Sequence, residues 1–564
     1  ESRVLLAAAN TAGTIPAAEC ERIALASGGV PLFIEHLTRS WLEGSHHLLP
    51  IHEVLQAELD DLGPDKTVLR AAAVLGAQFP ESDLRRLAPA QDVARALAKA
   101  VACGLITRIT PATYAFRHAL IRDAAYEGLP YGSRKALHEA AARHLEAKPD
   151  CSPEDIARHL SAAHNWAAAA PRWLKAGELA ASGGYAAHAM ACYQQAIDAL
   201  THVGTQACDE ALQDARIRLG FAIQMAQGYG SAHAYREFGA VADQIKAHAA
   251  EESRRETLFL ALSGMFMGSS SQGAVEGLHT ARRLQTLART PAESLMASFA
   301  LGNTLFWAGE FKEALSWQRQ GIALASGIAA EERGRYCVDD PVVTCRAFAG
   351  WTLWFRGDPQ GAVDMAAEAV TLARREQRVH ALCFALVFAA GVHWFREDAP
   401  QVAAFAAEGL ELSRRYAFPL WEGASGLFLA WAQAASGMLS DTSTVFGAAT
   451  LLSRSYQAGI TTSRWITARA LIALGAWCEA EALLEISVRE AHLHEDQYCL
   501  PDLIWLQGEC LTRGNHLREA AERFAKAREL ARTQGAAGLL ARFDAARQIS
   551  LRETRHAFPS RKAS

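Results

Sequence analysis

The chain has 564 residues, of which 50% are hydrophobic and 21% charged, and its formal net charge is −5. Domains usually contain about 50–200 residues, so this length excludes a single small domain and predicts several domains or a repeat array. The negative net charge argues against a general attraction to nucleic acid or to anionic lipid. The longest apolar run, residues 381–395, contains His393 and is shorter than a bilayer span, so no membrane segment is predicted.

The 11 cysteines show neither a CxxC pair nor an even spacing. Free thiols in a reducing compartment explain this distribution better than a disulfide framework does, so we expect a cytoplasmic protein. The chain begins at Glu1 without an initiator methionine, a basic n-region or a signal-type apolar stretch. We therefore expect it to be a part of a longer protein.

Residues 48–150 combine helical periodicity with one short β-hairpin. Apolar residues at helical spacing predict helices at residues 51–62, 66–73, 81–87, 92–103, 119–128 and 133–146. Residues 105–109 and 114–117, joined by a Pro-Ala-Thr turn, predict two paired strands. Helices followed by a two-stranded wing are typical of a winged helix, so we predict a winged-helix-like domain at residues 48–150.

The predicted helix at residues 92–103 is the one that a DNA-binding winged helix would place in the major groove. It carries Arg95 and Lys99 among alanine, valine and leucine, and Gln91 precedes it. This helix is poor in side chains that read base edges or bind phosphates. We therefore expect a packing module and no direct contact between this chain and nucleic acid.

Residues 151–550 contain an internal repeat in which a glycine is followed after 12, 16 and 19 residues by alanine, a filling residue and a small residue. Two helices that cross closely need a small residue on each and a bulky neighbour in the groove beside it. This spacing is the tetratricopeptide pattern. It occurs as Gly177, Ala189, Tyr193, Ala196; Gly302, Ala314, Gln318, Gly321; Gly350, Ala362, Ala366, Ala369; and Gly508, Ala520, Phe524, Ala527.

Glycine, or aspartate with a nearby proline, punctuates the turn between the two helices of each repeat, as at Gly184, Gly309 and Asp398. We expect about eight helical pairs between residues 171 and 541, with an irregular section around Asp339 and a flexible tail at residues 551–564. The tryptophans on these helices are expected to fill the core, with a minority facing a ligand groove. The predicted fold is all-α: a winged-helix-like segment followed by a tetratricopeptide-type α-α superhelix.

Several motifs resemble a known family. Residues 27–37 read SGGVPLFIEHL and residues 116–126 read FRHALIRDAAY, and both resemble STAND-class signalling ATPases, at the end of the nucleotide-binding module and in the winged helix. Residues 340–341, 418–421 and 502–509 resemble the helical tail of bacterial ATPases that often carry a class III adenylate cyclase domain. The order and spacing of these motifs extend the resemblance over nearly the whole chain.

The resemblance implies that residues 1–47 are the end of a nucleotide-binding module, a remnant of its helical lid. It also implies two nucleotide-binding residues, with Pro31 packing on adenine and His118 reaching the phosphates of bound ADP in the intact parent. Residue 119 is alanine, where many relatives have aspartate, so the sensor motif is incomplete. An alternative stays open for both residues, since a histidine there can cap a helix and a proline after Gly-Gly can begin one.

The sequence contains no GxxxxGK[ST] loop, no β-branched run ending in paired acidic residues, no HExxH and no GxSxG. We therefore predict no catalytic residue and no metal site in this chain. The parent is expected to be an ATPase that uses ATP and ADP, with an adenylate cyclase as one candidate output.

The leading functional hypothesis is a regulatory and interaction region of that parent. Stacked helix pairs would present a concave groove to a protein, peptide or small-molecule ligand, whose binding would bias the nucleotide state and the output. Two alternatives stay open: the sensor part of a transcriptional regulator with a DNA-binding domain elsewhere, and a repeat scaffold that works without nucleotide. ATPases of this class often assemble when active, so a homo-oligomer is one expected state of the active parent.

Overall fold

The computed structural model describes residues 15–26, 34, 37–38, 41–42, 51–204, 208–246, 252–269, 274–455, 460–493 and 496–557. The chain divides into two compact units, residues 1–173 and 174–564, and each is described by itself. The domain boundaries predicted at residues 47, 150 and 550 stay predictions.

The first unit contains helices and one small sheet. The sheet is antiparallel in the order β1-β3-β2, and Phe79 of the edge strand β1 pairs with Tyr114 and lies 5.6 Å, ring to ring, from Phe116. The elements are α1 (Ala17–Ala26), α2 (Ile51–Asp60), α3 (Lys66–Leu75), β1 (Gln78–Pro80), α4 (Glu81–Leu87), α5 (Val93–Ala102), β2 (Ile106–Thr110), β3 (Thr113–Phe116), α6 (Ala119–Glu127), α7 (Tyr131–Glu146), α8 (Pro153–Ala162) and the start of α9 (Trp166–Ser182).

The helices and the hairpin predicted for residues 51–146 are confirmed to within a few residues. Strand β1 is not predicted, because three residues ending in a proline are too short to show alternation. Helix α5 buries Val93, Ala96, Leu97 and Ala100 in the core of the unit, as its 3.6-residue periodicity requires.

The two basic residues of α5 make contacts within the same unit. Arg95 Nη2 lies 2.8 Å from Asp65 Oδ1. Lys99 Nζ donates to the carbonyls of Asp61 and Leu62 at 3.1 and 3.0 Å. Both side chains therefore anchor the helix to the turn that follows α2.

The second unit consists of helical hairpins, which confirms the all-α repeat fold. Its helices after α9 are α10 (Ala186–Val203), α11 (Asp209–Gln227), α12 (Ala232–Lys246), α13 (Glu252–Ser269), α14 (Ala274–Leu287), α15 (Pro291–Trp307), α16 (Phe311–Leu324), α17 (Ala330–Arg333), α18 (Pro341–Phe355), α19 (Pro359–Arg375), α20 (Val379–Phe395), α21 (Ala399–Arg415), α22 (Pro419–Ala435), α23 (Ser443–Ser455), α24 (Ile460–Ala473), α25 (Trp477–Leu493), α26 (Leu500–Arg513), α27 (Leu517–Thr533) and α28 (Ala537–Ala557).

Within the described residues these helices pair as α9–α10, α11–α12, α13–α14, α15–α16, α18–α19, α20–α21, α22–α23, α24–α25 and α26–α27, which is nine hairpins against the eight or so expected. The short helix α17 occupies the irregular section before Asp339. Among these described ranges, no helix combines the length and the apolar character that a bilayer span requires.

The close helix crossings predicted from the glycine spacing are present. A Cβ added to Gly508 would lie 2.6 Å from the ring of Phe524, and one added to Gly177 would meet the ring of Tyr193. A Cβ on Gly302 would lie 2.9 Å from Cγ of Gln318. The glycine therefore makes room for the filling side chain 16 residues later, as the repeat pattern predicts.

The predicted turn glycines adopt backbone conformations that favour glycine. Gly184, Gly309 and Gly357 have φ values of +81°, +81° and +88° between the helices of their hairpins. At the start of α21 the carboxylate of Asp398 accepts from the backbone N–H of Gln401, which caps the helix. Local sequence thus ends one helix and begins the next.

The inner face of the second unit is packed with aromatic side chains. Trp394, Trp465 and Tyr498 are among its largest fully buried residues. The segment before α26 folds back on α15, where the carbonyl of Trp307 accepts from the backbone N–H groups of Gln497 and Tyr498 at 3.0 and 3.2 Å. The interior of the second unit is therefore largely filled with side chains, and small pockets remain within it.

Candidate functional site

A cavity of about 90 Å³ remains among the aromatic residues on the inner face of the second unit. Its wall comes from the helices α13, α15, α18, α20, α22, α23 and α24, together with the turn after α11. In α20, Phe384 and Phe388 are four residues apart and so point to the same face of the helix. The same spacing in α22 places Ala424 and Phe428 on the cavity wall.

The aromatic rings of this wall are held in fixed orientations. Phe384 and Phe388 stack with ring centroids 4.4 Å apart and an interplanar angle of 5°. Trp351 lies 4.6 Å from Phe388, ring to ring, and its indole N–H donates to the carbonyl of Phe388 at 2.8 Å. Rings with hydrogen-bonded or stacked neighbours lose little further freedom on contact with a ligand, which favours binding.

Two residues of the cavity wall, Tyr229 and Trp421, belong to a buried hydrogen-bond relay. The indole N–H of Trp421 donates to His380 Nε2 at 3.0 Å, and His380 Nδ1 lies 2.9 Å from Asp339 Oδ1. Tyr229 donates its hydroxyl to Asp339 Oδ2. Since an indole N–H can only donate, His380 Nε2 accepts this hydrogen bond. The Nδ1–H of His380 therefore donates to Asp339 Oδ1.

The relay links the cavity wall to a buried carboxylate. Asp339 is fully buried and His380 is 4% exposed, whereas Tyr229 and Trp421 line the cavity. A group that enters the cavity and displaces Tyr229 or Trp421 must therefore disturb a hydrogen bond to a buried partner. That partner is Asp339 for Tyr229 and His380 for Trp421. The arrangement is suited to binding.

The tryptophans of the repeat helices divide between the cavity wall and the core, and which of them face a ligand stays a prediction. Trp307, Trp351 and Trp421 line the cavity, while Trp354 and Trp394 pack in the core. Sequence reasoning missed Tyr229 and His380, because their partner Asp339 lies 110 and 41 residues away and no periodic spacing connects them. Asp339 was singled out only as part of an irregular repeat.

The two residues predicted to bind nucleotide belong to the first unit. Pro31 lies outside the described residues. His118 is half-buried at the start of α6, where its Nδ1 accepts from the backbone N–H of Leu120 at 3.2 Å. The capping role considered for His118 is therefore present, and in the neutral ring it leaves the proton on Nε2.

The comparisons with known proteins give limited information. No protein-family model matches the chain. An uncharacterized protein of Rhizobium meliloti is 33% identical over 132 residues, which cover 20% of this chain and 13% of that protein. The chain thus matches only a small part of that relative's length.

Two solved structures are similar at low identity. A Rap protein complexed with competence and sporulation factor is 10% identical with a TM-score of 0.45, covering 65% of this chain and 98% of that chain. A STAND protein with a tetratricopeptide repeat sensor from Pyrococcus horikoshii is 11% identical with a TM-score of 0.36, covering 96% of this chain and 74% of that chain. Identities this low identify no family, so the fold assignment rests on the hairpins and glycine contacts described above.

Proposed function

We propose that this chain is the sensor and regulatory region of a multidomain signalling ATPase. Its hairpin array binds a protein, peptide or small-molecule ligand, and binding biases the nucleotide state and the output of domains outside this sequence. The observation that carries the proposal is the aromatic cavity, whose wall combines seven helices and includes Tyr229 and Trp421 of the relay with Asp339 and His380. A ligand there contacts several hairpins at once, as coupling between distant sites requires.

The size of the cavity limits what enters it. A volume of about 90 Å³ is below the ~150 Å³ of a cavity that encloses benzene. The ligand therefore inserts one small apolar group, such as an aliphatic side chain of a peptide, and keeps the rest of its surface outside. Tyr229, Asn303 and Thr462 supply polar groups at the wall for orientation.

The first unit would couple the array to nucleotide. In this proposal its helices and hairpin act as a winged helix that closes over a nucleotide-binding core upstream, in a cytoplasmic parent. Pro31 packs on adenine and His118 donates Nε2–H to a phosphate of ADP, a contact that is lost when the domain swings away. Support comes from the sequence motifs and from the tautomer that the cap of α6 imposes on His118.

The test uses the parent's full open reading frame. After purification, denaturing extraction and chromatography measure bound ADP in the wild type and in His118→Asn, which keeps a capping acceptor but removes the imidazole. Ser152→Ala is the matched control, because Ser152 caps α8 in the same unit through the backbone N–H of Glu154 at 3.2 Å. We expect ADP in the wild type and in Ser152→Ala, and its loss in His118→Asn.

Other outcomes decide against parts of the proposal. If the folded wild-type parent carries no nucleotide, the chain is a repeat scaffold, and the nucleotide-binding roles proposed for Pro31 and His118 are wrong. If His118→Asn carries as much ADP as the wild type, only the nucleotide-binding role of His118 is wrong. Identical ATP turnover with and without the hairpin array rejects the sensor role, and a DNA-binding domain upstream identifies a transcriptional regulator with this sensor. A cyclase domain there identifies the proposed cyclic-nucleotide output.

A further inference from the structure

A second pocket in the second unit, of about 390 Å³, lies among α22, α24, α26 and α28, with the turn after α20 at its edge. Its walls carry two indoles, Trp431 and Trp505, and several small or aliphatic side chains. Its polar groups are two arginines, Arg469 and Arg542, and two glutamates. The pocket is large enough for a small organic ligand, since such sites have volumes of ~300–1,000 Å³.

Arg469 is held deep in this pocket. The residue is 9% exposed, its Nη2 donates to Glu397 Oε1 at 2.8 Å, and its guanidinium lies 4.5 Å from the ring centroid of Trp394. Its Nη1 is buried and has no hydrogen-bond partner among the described residues. A guanidinium N–H that is removed from water needs an acceptor, because its desolvation is otherwise uncompensated.

Arg542 repeats this arrangement from the other side of the pocket. Its Nη2 pairs with the buried carboxylate of Asp502, which also accepts from the indole N–H of Trp465 at 2.6 Å. Its Nη1 is likewise buried without a partner in the described part of the chain. The pocket thus presents Nη1 donors from two arginines whose Nη2 groups are already bonded to protein carboxylates.

The carboxylates around the pocket limit the charge that it accepts. Asp502 is already bonded to Arg542 and Trp465. The side chain of Glu397 is 62% exposed, so it can turn into solvent when another acceptor takes its place. Glu509 accepts from the indole N–H of Trp505 at 2.7 Å, and burial raises the pKa of its carboxyl group. A dianion would be repelled by these groups, whereas a single negative charge matches the two arginine donors.

We propose that this pocket binds an organic monocarboxylate, whose oxygens accept from Nη1 of Arg469 and of Arg542 while its apolar body lies against Trp431 and Trp505. Guanidinium groups suit carboxylates because several N–H donors lie in one plane. The carboxylate belongs either to a free small acid or to the C-terminus of a peptide. The proposal does not depend on the aromatic cavity or on the ATPase parent.

The experiment is calorimetric titration of the purified chain with 3-phenylpropionate, with 3-phenylpropionamide and inorganic phosphate as controls. We expect binding of the acid, and at least about tenfold weaker binding of the amide and of phosphate, which corresponds to ~1.4 kcal/mol or more. Two peptides ending in Ala-Ala-Phe, one with a free and one with an amidated C-terminus, distinguish the sources. Tighter binding of the free-acid peptide than of 3-phenylpropionate assigns a peptide C-terminus, and the reverse assigns a small acid.

Variants localise the site. Arg469→Gln should weaken binding of 3-phenylpropionate at least about tenfold. Arg415→Gln should leave it unchanged, since that arginine is 62% exposed and pairs with Glu411 on its own helix. Glu397→Gln should tighten binding, because it removes the negative charge that competes with the ligand for Arg469. This variant tests the proposal if Arg469→Gln does not fold. Equal affinities for acid and amide, or an unchanged affinity in Glu397→Gln and Arg469→Gln, would overturn the proposal.

Discussion

Trp421 and His380 are 41 residues apart in the chain, yet the indole N–H of Trp421 donates to Nε2 of His380 at 3.0 Å. This bond assigns the imidazole proton to Nδ1, which faces the buried carboxylate of Asp339. A side chain on the wall of the aromatic cavity is therefore connected through the imidazole of His380 to the carboxylate of Asp339 in the core. The relay should be important for the stability of the second unit and for its response to a ligand.

We expect His380→Leu to lower the free energy of unfolding of the second unit by about 3–5 kcal/mol, because Asp339 loses one of its two buried partners and Trp421 loses its acceptor. Urea unfolding followed by tryptophan fluorescence measures the change. The control is His516→Leu, at an exposed histidine of the same unit. This substitution should change the free energy of unfolding by less than ~0.5 kcal/mol. Similar losses in both variants would show that the relay does not stabilise the unit.

The glycine of the last tetratricopeptide pattern should not tolerate a side chain. Gly508→Ala places a Cβ 2.6 Å from the ring of Phe524, and overpacking of this kind costs ~1–3 kcal/mol. Gly447→Ala is the matched control on helix α23, since its Cβ meets no atom within 4 Å. There the substitution should stabilise by ~0.5–1 kcal/mol through helix propensity. Thermal denaturation of both variants checks the opposite signs, and a shift of the same sign in both would contradict the packing argument.

Removing an aromatic ring from the cavity wall should create room that a small ligand can fill. Phe428 is 1% exposed, so Phe428→Ala should cost ~3–5 kcal/mol, part of which added indole should restore by occupying the enlarged cavity. Phe446→Ala serves as the control, because Phe446 is 41% exposed, and indole should have no effect on it. The melting temperature with and without indole reports the outcome. If indole does not raise the melting temperature of Phe428→Ala, the cavity wall collapses in this variant and the space does not stay open.

The first unit should lose stability in mild acid. Burial, together with the neighbouring His159 and Arg134, lowers the pKa of His138 to about 4, whereas an unfolded histidine has a pKa of ~6.5. Between these two values only the unfolded chain takes up the proton. Stability is therefore complete above pH ~6.5 and falls as the pH decreases towards 4, by roughly 2–3 kcal/mol over the whole window.

Hydrogen exchange of α7 amides, corrected for intrinsic rates at each pH, measures this loss. His138→Leu should flatten the pH dependence, although it also removes the hydrogen bond between Tyr126 and His138 at 2.9 Å. His164→Asn, at an exposed histidine with φ of 56°, should keep the wild-type slope, because asparagine tolerates that conformation. A slope that persists in His138→Leu would assign the acid sensitivity to another group.

Much of this protein is determined by its sequence over short distances. The spacing of Gly508 and Phe524 predicts a close helix crossing within one hairpin, and Gly184 and Gly309 mark turns whose left-handed backbone favours glycine. The helices of the first unit follow from amphipathic periodicity. These features depend on residues fewer than about 20 positions apart, where helical geometry relates sequence spacing directly to position in space.

The tertiary structure decided which residues that are distant in the sequence contact each other. It brings Tyr229 to Asp339 over 110 residues and Trp465 to Asp502 over 37, and it pairs β1 with β3. It also fills the interior of the second unit with aromatic side chains. No periodicity connects these partners. Their meeting depends on how far the stacked hairpins curve, which is set by the summed packing of many side chains and cannot be read from any one segment.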